Sequence, residues 1–82
     1  MSHNNATLDP IRTEVKPGHI YRHRKGGLYF VKLIARIEST LEPAVVYVPY
    51  REPGDPPLRV GDAWVRPLSE FTDGRFTRVR FP

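Results

Sequence analysis

The chain of 82 residues contains no cysteine and no long apolar run. Without cysteine it has neither disulfide bonds nor thiolate ligands for a metal. No segment approaches the about 18 apolar residues that a membrane-spanning helix requires. Residues 1–7 are polar and lack the apolar core of a secretory signal. These absences predict a cytoplasmic protein that binds no metal or other cofactor and does not associate with a membrane.

The chain is also short, which limits what it can build. A length of 82 residues corresponds to one domain, and such a domain buries only about 60–65% of the surface that its unfolded chain exposes. The thin core leaves little room for the pocket of about 300 Å³ or more that most enzymes need. We therefore expect a binding protein in preference to an enzyme.

The charge balance is basic. Thirteen Lys and Arg residues face nine Asp and Glu residues, for a formal net charge of +4 and a pI near 9.9. This balance favours anionic partners such as nucleic acid, nucleotides or acidic peptides. The alternative is ordinary solubility charge, because a magnitude of about 2–8 is usual for a small domain.

Turn residues and alternating apolar positions divide the chain into short strands. Residues 1–16 have no clear periodicity and are predicted to form a flexible leader, with a single domain over residues 17–82. The best strand is 28–38, whose odd positions are all apolar and are expected to face the core: Tyr29, Val31, Leu33, Ala35 and Ile37. Further strands are predicted over 19–23, 44–48, 63–66 and 75–81, the last as an edge strand with protective arginines. Residues 68–71 are predicted to form one helical turn.

These elements predict a mostly β fold. Five short strands and one short helical turn suggest a small, strongly bent barrel of SH3-like or Tudor-like architecture, and an open curled sheet is the alternative. Residues 49–62 contain four prolines and two glycines, so they are predicted to form an extended, stiff loop.

A series of uncommon residues stands at characteristic spacings along the chain. It comprises Gly18, the run Tyr-Arg-His-Arg-Lys-Gly at 21–26, Tyr29, Val31, the segment 35–42, Val-Val-Tyr at 45–47, Trp-Val-Arg-Pro-Leu at 64–68 and Phe71. This pattern, which covers about two-thirds of the chain, resembles the bacterial family called domain of unknown function 1653. The resemblance implies a small bacterial cytoplasmic protein and supplies no activity. The chain departs from the family pattern at 37–40, where Ile-Glu-Ser-Thr replaces His-Ser-Glu-Thr, and in its longer proline-rich segment after Tyr47.

Basic and aromatic residues suggest one binding surface. On an extended segment Arg22 and Arg24 share a face opposite Tyr21 and His23. Arginine binds phosphate or carboxylate through two hydrogen bonds, and aromatic rings stack on bases. The candidate ligand-binding residues are Tyr21, Arg22, His23, Lys25, Glu38, Tyr47, Trp64 and Arg66.

Each of these residues also has a purely structural interpretation. The basic hairpin around Tyr21 is equally consistent with a solvated turn. A single tryptophan in so small a domain is more often in the core, and this is our expectation for Trp64. Glu38 or Glu42 is the natural partner for a partly buried Arg22 or Arg66, in an ion pair that is either structural or functional.

Three functions therefore remain open. The first is a binding module for an anionic partner, namely single-stranded nucleic acid, a nucleotide or an acidic peptide. The second is a protein-interaction domain that uses the 49–62 loop and an edge strand. The third and least favoured is an enzyme for a small anionic metabolite. A hydrolase triad of His23, Glu38 and Ser39 lacks a nucleophile elbow, and a metal site at His3, His19 and His23 does not suit an extended segment.

Overall fold

The computed structural model describes residues 8–81 of the chain. Residues 1–7, including His3 and most of the polar N-terminus, lie outside the described part, as does residue 82. The elements in chain order are β1 (Ile20–His23), β2 (Leu28–Arg36), β3 (Pro43–Pro49), β4 (Trp64–Pro67), α1 (Leu68–Phe71) and β5 (Phe76–Val79). Each lies within two residues of a predicted element. None of the helices described in residues 8–81 is long and apolar enough to cross a membrane.

The five strands form one antiparallel sheet in the order β4-β3-β2-β1-β5. The sheet curls into a half-barrel, which confirms the predicted mostly β, strongly bent, five-stranded fold with one short helical turn. Within residues 8–81 the edge strands β4 and β5 are not paired with each other. The sheet therefore stays open along one side.

A β-bulge in β2 decides which side chains reach the core. Val31 pairs with Tyr47, but the register shifts so that Leu33 pairs with Val46 and Ile34 with Val45. An extra residue in one strand reverses the alternation beyond it. Val31 is fully buried, whereas Leu33 is 47% exposed. The predicted core face is therefore correct at Val31 and wrong at Leu33, whose place is taken by Ile34.

The core lies on the concave face of the sheet and is rich in aromatic rings. The short helix α1 closes this face with Phe71, whose ring stacks on Phe76 at 4.1 Å and meets Tyr21 edge-on at 4.9 Å. The buried cluster consists of Val15, Tyr21, Val31, Val45, Tyr47, Phe71 and Phe76. Because few residues are available, each ring supports several others.

The folded unit begins earlier in the chain than predicted. Val15 is buried in the core cluster, two residues before the expected boundary at Pro17. Burial of one large aliphatic side chain contributes about 1.5–3 kcal/mol, so the leader takes part in stabilising the domain. The flexibility expected for the other described leader residues stays a prediction, and residues 1–7 lie outside the described part of the chain.

The proline-rich loop contains two tight turns in place of the extended segment that was predicted. Glu52 N–H donates to Asp55 Oδ2 at 2.8 Å, and Asp55 N–H donates back to the carbonyl of Glu52 at 3.0 Å. Arg59 and Asp62 repeat this arrangement, at 2.6 Å and 3.0 Å. In both turns the residue before the aspartate is a glycine with positive φ, as a type II turn requires.

The core assignment predicts very different effects for two large apolar residues. Phe71→Ala should lower the free energy of unfolding by about 3–5 kcal/mol, because it leaves a cavity beside Phe76 and Tyr21. Leu33→Ala should change it by less than about 1 kcal/mol, because Leu33 is half exposed. Urea denaturation of both variants measures the difference. Equal losses would contradict the bulge-dependent assignment of faces.

Candidate ligand-binding cleft

The open side of the half-barrel contains a cleft of about 360 Å³. Strand β4 contributes Trp64 and Arg66, β5 contributes Phe76, and the β1–β2 turn contributes Lys25 and Gly26. The lining residues are His23, Lys25, Gly26, Tyr29, Tyr47, Trp64, Arg66 and Phe76. Four of them are aromatic and three carry basic side chains.

The strand register explains why these side chains point the same way. Tyr47 lies opposite Trp64 across β3 and β4, and His23 lies opposite Phe76 across β1 and β5. Residues directly opposite in an antiparallel pair share a face of the sheet. Arg66, two residues after Trp64, is therefore on the same concave face.

Arg66 is the most tightly held basic group of the cleft. Its Nε donates to the hydroxyl of Tyr47 at 3.4 Å and its Nη1 donates to Glu70 Oε1 at 3.3 Å. Its guanidinium carbon lies 5.8 Å from the centroid of the Phe76 ring, a cation–π distance. The hydrogen bond to Tyr47 is the largest cause that raises the pKa of Arg66 above its usual value. A fixed positive charge therefore stands over the aromatic floor.

His23 contributes a neutral imidazole. Its Nδ1 accepts the backbone N–H of Lys25 at 3.1 Å, so the neutral ring carries its proton on Nε2 and can donate there. The ring meets Phe76 edge-on at 4.9 Å. Desolvation, followed by the positive charges of Arg66, Arg24, Lys25 and Arg75, lowers the pKa of His23 below 6.5. At neutral pH the side chain is a hydrogen-bond donor without charge.

Trp64 is 56% exposed, so the expectation that it belongs to the core is wrong. It lies on the edge strand β4, which has a sheet neighbour on only one side. Its ring is therefore not enclosed by a second layer. Lys25, in the β1–β2 turn, is also exposed. Both residues are free to contact a ligand that enters the cleft.

Five of the eight candidate residues line the cleft and three do not. Tyr21 is buried beneath Phe71, and this burial raises its pKa. Arg22 alternates with Tyr21 and His23, so it is exposed on the opposite face of the sheet. Glu38 lies just after the far end of β2, and the nine residues of β2 span about 30 Å.

The structure also bears on three predictions about the chemistry of the site. The partner of Arg66 is Glu70, so the expectation that Glu38 or Glu42 would pair with it is wrong. His23 lies at the opposite end of β2 from Glu38 and Ser39, so the three do not form a triad. Within residues 8–81 no three His, Asp or Glu side chains are grouped so as to hold a metal ion, and His3 lies outside that range.

Three further residues of the site were not among the candidates. Tyr29 and Phe76 form the floor, and Glu70 holds both Arg66 and Arg75 at 3.3 Å. Arg66 and Glu70 are four residues apart, across the point where β4 continues directly into α1. This spacing is the sequence signal that could have predicted their contact. Phe76 was not among the candidates because the apolar alternation of residues 77–81, which begins one residue later, indicates the opposite face of the strand.

The comparison with protein families agrees with the resemblance seen in the sequence. The family model described as "Protein of unknown function (DUF1653)" matches residues 19–81. The chain belongs to this family. Every residue that lines the cleft lies inside the DUF1653 match, whereas Val15 and the other described leader residues precede it. No curated protein shows significant similarity to the chain, and no solved structure does so either.

The lowered pKa of His23 predicts a pH-dependent stability. The unfolded chain, in which the pKa returns to about 6.5, binds a proton more readily than the folded one. The free energy of unfolding is therefore highest above about pH 6.5 and declines as the pH falls below that value. His23→Gln should flatten this decline between pH 7 and 5.5, leaving the part due to His19, whose pKa is also lowered. Urea denaturation across this range measures it, and identical profiles for both proteins would contradict the assignment.

Proposed function

We propose that this DUF1653 protein is a small binding module for single-stranded nucleic acid. The observation that supports the proposal is the meeting of a half-exposed indole, Trp64, with the basic groups Lys25 and Arg66 in one open cleft. Aromatic rings that stack on bases, combined with positive charges that contact the backbone, are the usual means of binding single strands.

The aromatic part of the cleft distinguishes among anionic partners. An acidic peptide would use Lys25 and Arg66 but would leave the exposed face of Trp64 without a flat ring to stack on. A nucleotide uses both, because each base has a π-face and each phosphate accepts hydrogen bonds from arginine. The neutral His23 adds a donor. A single-stranded nucleic acid would therefore contact more of the residues that line the cleft than an acidic peptide would.

The chain's charge agrees with this proposal. Within residues 8–81 no ion pair involves Lys25, Arg22, Arg24 or Lys32, so the net charge of +4 is not consumed by local pairing around the hairpin. Excess positive charge steers a polyanion toward the surface. The bacterial, cytoplasmic setting implied by the family resemblance belongs to the same proposal.

A protein partner is the second candidate. Strand β4 is an edge strand, and Val65, on the face away from the cleft, is 63% exposed; Val60, at the tip of the second loop turn, is fully exposed. An extended segment of another chain could add to such an edge by backbone hydrogen bonds. An enzymatic role has less support, because His23 is the only lining residue with ordinary acid–base chemistry near neutral pH.

Trp64 is the only tryptophan of the chain, so intrinsic fluorescence reports directly on the cleft. Titration with a mixed-sequence 12-nucleotide DNA or RNA at about 50 mM salt should quench it. The logarithm of the affinity should fall linearly with the logarithm of salt, by about 0.7 for each phosphate contacted. Unchanged fluorescence together with no binding at this low salt would exclude the nucleic-acid function.

Variants distinguish binding in the cleft from nonspecific attraction of the oligonucleotide to a basic protein. Trp64→Ala should weaken binding of a fluorescently labelled oligonucleotide about 5- to 150-fold, since one stacked base contributes about 1–3 kcal/mol. Lys25→Ala should reduce the salt slope. Arg22→Ala is the matched control, because it removes the same charge from the opposite face of the sheet. If Arg22→Ala weakens binding as much as Lys25→Ala, the cleft is not the site.

A further inference from the structure

A second groove lies beside β1 and β5, at the opposite end of this strand pair from His23 and Phe76. It is formed by residues 18–20 and 78–81 and has a volume of about 450 Å³. Arg78 lies opposite Tyr21 across β1 and β5, so it shares the concave face with Phe76 of the cleft. Arg80, one residue after the end of β5, also lines the groove.

Arg78 is unusual among the arginines of the chain. Its Nε is buried and has no hydrogen-bond partner among residues 8–81. Arg51, Arg59, Arg66 and Arg75 each pair with a carboxylate, whereas no ion pair of the described residues includes Arg78 or Arg80. A buried charged donor without a partner destabilises the fold, so an anion beside this guanidinium would be stabilising.

His19 adds a third donor to the groove. Its Nδ1 accepts the backbone N–H of Lys16 at 3.3 Å, which leaves Nε2 to carry the proton and donate. Desolvation and then the nearby charges of Arg78, Arg80 and Lys16 lower the pKa of His19. Glu14, the acidic group that acts on the neighbouring Tyr21, forms no ion pair among the described residues. The groove is therefore rich in donors that no carboxylate of residues 8–81 neutralises through an ion pair.

We propose that His19, Arg78 and Arg80 form a phosphate subsite, which holds a backbone phosphate of the strand whose base stacks in the cleft. Two guanidinium groups match the oxygens of a phosphate through paired hydrogen bonds. The subsite itself stands on the geometry of this groove. Only the identity of the molecule that carries the phosphate rests on the proposed function.

The distance between the two places sets a length requirement. Phe76 and Arg80 are four residues apart on an extended segment, which corresponds to about 13 Å. A stacked strand rises about 3.4 Å for each nucleotide. Because Phe71 covers Tyr21 between the two places, a strand that passes beside it needs at least about four nucleotides to join them. A dinucleotide reaches one of the two places, and a hexanucleotide reaches both.

The subsite is tested first with inorganic pyrophosphate, which needs no nucleic acid. In two-dimensional NMR spectra of the full chain, the Nε–H signal of Arg78 should shift saturably as pyrophosphate is added. The Nε–H signal of Arg22, on the opposite face, is the internal control. If the Arg78 signal shifts no more than that of Arg22, the subsite does not exist, whether or not the cleft binds oligonucleotides.

The strand is tested with thymidine oligonucleotides of two and six residues. Arg78→Gln and Arg80→Gln should each lower the salt slope for the hexanucleotide by about 0.7, and should leave affinity for the dinucleotide unchanged. Arg22→Gln is the control of equal charge. Arg80 is exposed, so its variant keeps the fold even if Arg78→Gln does not.

The two experiments separate the two ideas. If pyrophosphate shifts Arg78 but the hexanucleotide slope stays unchanged in both variants, the subsite takes a free phosphate and the shared strand is excluded. If neither oligonucleotide binds and Trp64 fluorescence stays constant, the proposed function fails. In that case the pyrophosphate titration alone still decides whether His19, Arg78 and Arg80 hold a phosphate.

Discussion

The ring of Tyr47 joins the core of this protein to its cleft. It lies 5.5 Å from Tyr29, 5.3 Å from Phe71 and 5.5 Å from Phe76, each in an edge-to-face arrangement. Such pairs contribute about 0.5–1.5 kcal/mol each beyond the burial of their area. The hydroxyl of the same residue accepts a hydrogen bond from Arg66. One side chain therefore packs the domain and orients the principal charge of the site.

This double use explains how so small a domain has both a core and a concave site. A closed barrel of this length would fill its interior with side chains. Here β4 and β5 stay apart, and the aromatic cluster that stabilises the concave face also forms the floor of the cleft. The short helix α1 assists in both roles, since Phe71 stacks on Phe76 while Glu70 holds Arg66 and Arg75. The domain therefore needs no separate pocket inside its core.

Local patterns predicted the strands well because turn residues and alternating apolar positions act over a few residues. Pro17-Gly18, Gly26-Gly27 and Asp73-Gly74 mark turns wherever the chain pairs next. The bulge after Val31 was not predictable in this way, because it depends on which residue of β3 lies opposite. The same holds for Trp64, whose exposure follows from the position of β4 at the edge of the sheet. Glu38 was wrongly assigned to the binding surface. The segments 21–26 and 35–42 follow each other in the sequence pattern, but β2 separates them and they lie at its opposite ends.

Photochemical crosslinking tests most directly the proposal that the concave face of the sheet binds a nucleic-acid strand and the convex face does not. A hexanucleotide RNA containing 4-thiouridine would be irradiated with the full chain, and the attached residues identified by mass spectrometry. We predict attachment on the concave side, at Trp64, Tyr29, Tyr47 or Lys25. Attachment confined to the 49–62 loop, or to Arg22 and its neighbours on the convex face, would contradict it.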